Sequence, residues 1–268
     1  MPRANRYYIS GYVWHITHRC HKKEFLLKFA KDRRRWLWWL FEARKRYGLS
    51  VLNYAVTSNH IHLIVSDNNG ENVIPRSIQL IAGRTAQEYN QRRSRKGAYW
   101  EDRYHATIIE NDDHLRRCLL YIDLNMVRTG VVAHPSQWEF CGYNEILNPK
   151  KRYALIDYET LKDMLGFKKM DDLSMAYQEW IDEALKISNH CRDGKWTESV
   201  AVGSDAFVTA AKKHLGFRVK GRKVFEEEGS YQLREEAGTY NGIFVVENEA
   251  LKLNNSYSWK LFDDILIA

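Results

Sequence analysis

Proline and cysteine are scarce in this chain of 268 residues, at four each, and long apolar runs are missing. Cys20, Cys118, Cys141 and Cys191 are scattered, with no C-x-x-C pair and no framework spacing. That argues against a disulfide scaffold or a structural zinc site and suits a reducing compartment. No stretch approaches the roughly 18 apolar residues of a membrane span. The opening MPRANRYYISGYVWHITHRC breaks its apolar residues with polar ones and lacks the continuous oily segment of a secretory signal. A cytoplasmic protein without a membrane partner is expected. Internal repeats and low-complexity tracts are also lacking.

What is abundant is positive charge, and it is concentrated. Residues 1–150 hold 24 Lys and Arg against 14 Asp and Glu, whereas residues 151–268 hold 17 against 20. The basic runs KDRRRW (Lys31 to Trp36), ARKRYG (Ala43 to Gly48) and QRRSRKG (Gln91 to Gly97) lie among Trp and Tyr residues. Any one run reads as a solvated helix face. The imbalance across the whole half points instead to phosphate neutralisation, with aromatic faces for unstacked bases.

Periodicity divides the basic half into β-α-β-β-α-β-α. Tyr12 to Arg19 alternates as a strand, and Glu24 to Tyr47 places Phe25, Phe29, Trp36, Leu40 and Phe41 at helical spacing before Gly48. Val51 to Val56 and His60 to Val65 form a hairpin around Thr57-Ser58-Asn59. A helix follows over Val73 to Gln91, then a strand over Tyr99 to Ile109, then a helix capped at Asn111-Asp112-Asp113 that runs to Arg128 before Gly130. This order predicts an α+β fold, a ferredoxin-like antiparallel sheet with helices on one face and the other face open. Residues 151–268 are expected to form a mainly helical extension, with a helical pair over Ile156 to Ile187, a linker CRDGKWTES and a short helix over Ser204 to Leu215.

The hairpin strand NHIHLIV carries the first chemical signal. Side chains alternate in a strand, so His60, His62 and Ile64 share one face while Ile61, Leu63 and Val65 share the other. Two imidazoles side by side on the less oily face can grip one ion, although H-x-H alone is a weak signal. The second signal is the helix 111–128. Its Leu115, Cys118, Leu119 and Ile122 form an apolar stripe, while His114, Arg117, Tyr121, Asn125 and Arg128 share another side.

Together NHIHLIV (Asn59 to Val65), WEDRYHATIIENDDHL (Trp100 to Leu115) and CLLYIDLNMVRTGVV (Cys118 to Val132) resemble the REP-associated tyrosine transposases, relatives of the insertion-sequence transposases in the HUH single-tyrosine endonuclease superfamily. The likeness covers roughly residues 1–150, and GSDAFVTAAKKHLG (Gly203 to Gly216) extends it more weakly. Met126 stands where that family often has Pro, and Thr57-Ser58 where it often has Met-Pro. The resemblance implies Tyr121 as nucleophile, with His60 and His62 as ligands of Mg²⁺ or Mn²⁺. Asn125 is the candidate third ligand, with His105 and Glu101 as fallbacks. It further implies single-stranded or hairpin DNA as substrate, a 5′-phosphotyrosine intermediate and strand transfer by its reversal. Arg19, Trp100, Arg103 and Tyr104 are candidate strand contacts, and Arg117 or Arg128 would supply positive charge near the phenol. The long extension favours a monomer. Rival readings are a catalytically silent DNA-binding regulator, a metal-dependent hydrolase that uses water, and an RNA-processing nuclease.

Overall fold

A computed structural model describes residues 9, 11–66, 72–186, 193–227 and 229–235. Four strands build the basic half: β1 (Val13–Arg19), β2 (Ser50–Val56), β3 (His60–Ser66) and β4 (His105–Ile109). They lie in the order β2-β3-β1-β4, every neighbour antiparallel, with β1 central as in a split β-α-β arrangement. The hairpin register sets Val56 opposite Ile61, and Thr57 closes the turn by donating its backbone N–H to the His60 carbonyl at 3.0 Å.

Helices α1 (Ala30–Tyr47) and α2 (Val73–Arg92) pair with each other through Arg35–Glu88 and Arg92–Asp32 and cover the sheet face of Trp14, Ile16 and His18. On that side Trp100 stacks on His18 while its indole N–H donates to the Ala82 carbonyl of α2 at 3.0 Å. The first helix starts six residues later than periodicity suggests. Leu26 and Leu27 are buried in a loop, whose Leu27 and Lys28 carbonyls take the Arg33 guanidinium at 2.9 and 2.7 Å. Gly48 ends the helix in the left-handed region, at φ 71°. The strand expected over 99–109 shortens to 105–109, because Trp100 makes only an isolated bridge to Cys20.

The α+β class holds, but the face expected to be open is covered. Helices α3 (Asp113–Asp123) and α4 (Asn125–Arg128) lie over His15 and His62, which are 0% and 2% exposed. The expected single helix is interrupted at Leu124. After the short α5 (Tyr143–Leu147), the extension supplies α6 (Tyr158–Met164) and α7 (Met170–Lys186), as the helical pair predicted. It then supplies α8 (Lys195–Glu198) and α9 (Asp205–Leu215), the latter capped by Ser204, whose hydroxyl accepts from the Phe207 N–H.

Helix outweighs strand in the described part of the extension, yet three strands escaped the sequence reading. β5 (Ala201–Gly203), β6 (Arg222–Glu227) and β7 (Ser230–Glu235) prolong the sheet to β2-β3-β1-β4-β5-β7-β6, with β5 parallel to β4. They are short and lack clean alternation, so period-two patterning has little to act on. RVKGRK thus enters β6. The segment read as a linker contains α8 and a buried Trp196, while its residues 191–192 lie outside the described residues. Among the described residues no helix is long and apolar enough to cross a membrane.

A buried polar knot ties α3 to β2 and α7. Asn53 Nδ2 and the Tyr177 hydroxyl donate to Asp123 Oδ2 at 3.1 and 2.5 Å. Gly142 is required beside it, since a Cβ there would sit 2.0 Å from Asn53 Oδ1. Burial raises the Asp123 pKa to about 7, against the lowering effect of Tyr177, Asn53 and the Tyr143 backbone. Between about pH 4 and 7 the folded chain keeps a proton that the unfolded chain has released. This carboxyl therefore favours folding most below pH 4, and the contribution is lost as pH rises to 7. Asp123→Asn is expected to raise the melting temperature at pH 8, by roughly 2–4 °C per kcal/mol gained, and to change it little at pH 4, as read by thermal melts at both pH values.

Candidate active site

Both imidazoles of the hairpin strand lie on one face, their ring centroids 5.0 Å apart and nearly perpendicular. Their surroundings decide which nitrogen of each carries hydrogen. His60 Nδ1 lies 2.7 Å from Asn59 Oδ1, and Asn59 is oriented by donating its Nδ2 to the Lys23 carbonyl at 3.3 Å. An amide oxygen only accepts, so His60 Nδ1 donates and the lone pair falls to Nε2. His62 reaches the same state through a longer chain. The Trp196 carbonyl accepts from His15 Nδ1 at 2.8 Å, and His15 Nε2 lies 2.9 Å from His62 Nδ1. Burial pushes the His15 pKa down to about 3, against the raising effect of the Trp196 hydrogen bond and with slight lowering by His105. A neutral His15 whose hydrogen sits on Nδ1 can only accept at Nε2. His62 Nδ1 must therefore donate, which again places the lone pair of the neutral ring on Nε2.

Asn125 completes this corner. Its Nδ2 is 3.2 Å from His62 Nε2, while its Oδ1 is buried without a hydrogen-bond partner. Two imidazole lone pairs and an orphaned amide oxygen suit a mixed nitrogen and oxygen site for a hard divalent cation. Among the described residues no group of three His, Cys, Asp or Glu side chains is placed to hold a metal, and the donor set at this corner is two imidazoles and one amide. The fallbacks are engaged elsewhere. Glu101 pairs with Arg19, and His105, held down to about pKa 4 by burial and then by Arg222, stands 3.5 Å from the Thr107 hydroxyl.

Tyr121 is 8% exposed and belongs to the buried core, with imidazole rings, an indole and a cation among its neighbours. Its ring stands edge-on to His62 at 5.9 Å and to His15 at 6.3 Å, and the Trp196 ring lies 6.2 Å away. The Arg128 guanidinium sits 4.2 Å over the ring centroid and donates to the Tyr121 carbonyl at 2.6 Å. Asn125 lies one turn beyond Tyr121, so that both meet the imidazoles.

Arg117, Trp100 and Tyr104 are not brought here. Arg117 pairs with Asp113 at 2.7 Å on the far turn of α3. Trp100 and Tyr104 pack against His18, with ring centroids at 4.1 and 6.4 Å, on the opposite sheet face. Trp100 also stands edge-on to the Tyr99 ring, at 4.8 Å. Arg103 is exposed on the loop before β4, and Arg19 lies opposite His60 in the register of β1 and β3. The sequence reading missed His15 and Trp196. Their only signals were a histidine inside an otherwise oily strand and a lone tryptophan in a polar segment.

Residues 8–125 match the family model of the IS200-like transposases. This stretch is therefore similar to that family, in line with the resemblance, and it includes His15, His60, His62, Tyr121 and Asn125. Among solved structures, a REP-associated tyrosine transposase bound to a REP hairpin is 20% identical, covering 56% of this chain and 87% of its own, with a TM-score of 0.48. A proposed transposase of Deinococcus radiodurans is 17% identical over 42% of this chain and 88% of its own, with a TM-score of 0.32. No curated protein matches.

Replacing His15 by Phe strands the buried His62 N–H without an acceptor and leaves the Trp196 carbonyl only its longer contact with the Thr107 hydroxyl, at 3.2 Å. It is expected to cost about 1–3 kcal/mol in urea unfolding, and His15→Gln less, since an amide both donates and accepts.

Proposed function

We propose that the chain is a single-tyrosine DNA endonuclease and strand transferase, acting on single-stranded DNA beside a hairpin. The observation that carries this reading is the meeting of the Tyr121 ring, His62 and Asn125 at one buried corner of the segment similar to the transposase family. His60, His62 and Asn125 would hold Mg²⁺ or Mn²⁺, which when bound polarises a phosphate oxygen and offsets developing charge. The Tyr121 oxygen attacks phosphorus as the bond to the 3′ oxygen breaks. The phenol loses its proton, the departing oxygen gains one, and a 5′-phosphotyrosine with a separate 3′-hydroxyl results. The reverse attack by a 3′-hydroxyl rejoins DNA without nucleotide hydrolysis. Arg128, over the ring, favours the phenolate form that attacks, while His15 and Asn59 act as positioning residues that keep both Nε2 atoms unprotonated.

Mixing the protein with Mn²⁺ and a labelled hairpin that bears a 5′ single-stranded flank is expected to give a covalent species of higher mass on a denaturing gel. Tyr121→Phe abolishes it, and persistence of the species in that variant refutes the nucleophile. On DNA-free protein, calorimetric titration with Mn²⁺ should show affinity reduced about 10- to 100-fold in His15→Phe. Unchanged affinity would remove His15 from the metal site.

A further inference from the structure

Lys31, Arg34, Trp38, Phe41 and Lys45 recur every three or four residues along α1 and therefore form one stripe on the helix. It faces away from the sheet, with Trp38 43% exposed. The stripe continues onto the loop after α5. Tyr153 packs on Phe41 with ring centroids 5.5 Å apart, Phe41 lies 6.2 Å from Trp38, and Tyr153 itself is 71% exposed. Tyr153 holds this position at φ 56°, a left-handed conformation that costs a bulky residue energy and returns no burial. The Arg44 guanidinium anchors the loop by donating to the Ala154 carbonyl at 2.5 Å. Lys151 and Arg152, both exposed, precede the tyrosine, while Lys150 before them pairs with the buried Glu145 at 3.1 Å; an open depression of about 380 Å³ lies between Phe41, Arg44, Lys45 and Asp157.

Two exposed aromatic rings, Trp38 and Tyr153, bridged by the half-buried Phe41 and flanked by cations, meet the two requirements of an unpaired nucleic-acid strand: faces on which bases stack and charge that follows the phosphates. A duplex, with its bases already stacked, would leave the rings unused. α1 covers the sheet face opposite His60 and His62, so this surface is separate from the candidate active site.

We infer that the Trp38–Phe41–Tyr153 row is a second binding surface for single-stranded DNA, which holds the unpaired part of the substrate away from the cut. The inference rests on the proposed substrate class but needs no cleavage, so its test is independent of the Tyr121 assay. Anisotropy titration of a labelled oligothymidylate should show Trp38→Ala/Tyr153→Ala binding at least tenfold more weakly than the parent, a loss of about 1.4 kcal/mol, with an unchanged melting temperature. Lys151→Ala/Arg152→Ala should flatten the dependence of log affinity on log salt by about 1.4, at roughly 0.7 per phosphate contact. A hairpin with only a short flank should still form its covalent adduct in both variants. Unchanged oligothymidylate affinity and salt slope would overturn the inference. So would a fall in sedimentation mass of the aromatic double variant with DNA binding intact, which would make the row an interface between copies of this chain.

Discussion

A backbone carbonyl, an imidazole and a second imidazole in series govern the arrangement of the candidate site. The Trp196 carbonyl can only accept, and that single fact propagates through His15 to His62, ending with a lone pair on the nitrogen beside Asn125. Histidine exchanges readily between tautomers in water, so a ring left to itself offers a metal the wrong nitrogen for part of the time. Burial of His15 removes that freedom here. The Asn59 side chain does the same for His60 from the hairpin turn, so two unrelated local devices give one outcome.

The relay also makes the extension part of the site. Trp196 belongs to α8, well beyond residue 150, yet its carbonyl orients the histidines and its ring flanks Tyr121. Its position is held from several sides. The Thr107 hydroxyl of β4 lies 2.7 Å from the Ser199 carbonyl and 3.2 Å from that of Trp196, and the Ile108 N–H donates to the Val200 carbonyl. Strand β5 then pairs with β4 directly. The change of composition near residue 150 thus crosses a continuous sheet. Behind α3, the Asn53–Asp123–Tyr177 knot binds the helix that carries Tyr121 to α7 of the same extension.

Period-two and period-3.6 patterning made the basic half legible because its elements are long and amphipathic. β1, the hairpin and the shared face of His60 and His62 follow from alternation, and α2 from the helical period. Arg128 and Asn125 were legible too, since one helical turn separates each from the next residue of the set. What patterning could not supply was register. His15 and His62 meet because β1 lies beside β3 with Thr17 opposite His62, a pairing that depends on which strands become neighbours. Nor does local spacing reveal the partners of Trp100 and Arg117, a stacked His18 ring on another strand and the Asp113 carboxylate. β5 to β7 were invisible for a related reason: strands of three to six residues gain their stability from the edge they join rather than from their own sequence.

Long-range ¹H–¹⁵N correlation of the histidine side chains in metal-free protein at neutral pH is the most direct measurement of the central claim. The account predicts that His15 and His62 both appear as slowly exchanging Nδ1–H tautomers with unprotonated Nε2, and that the His62 pattern is lost in His15→Phe. A His62 ring protonated on Nε2, or one averaging between tautomers in the parent protein, would contradict it.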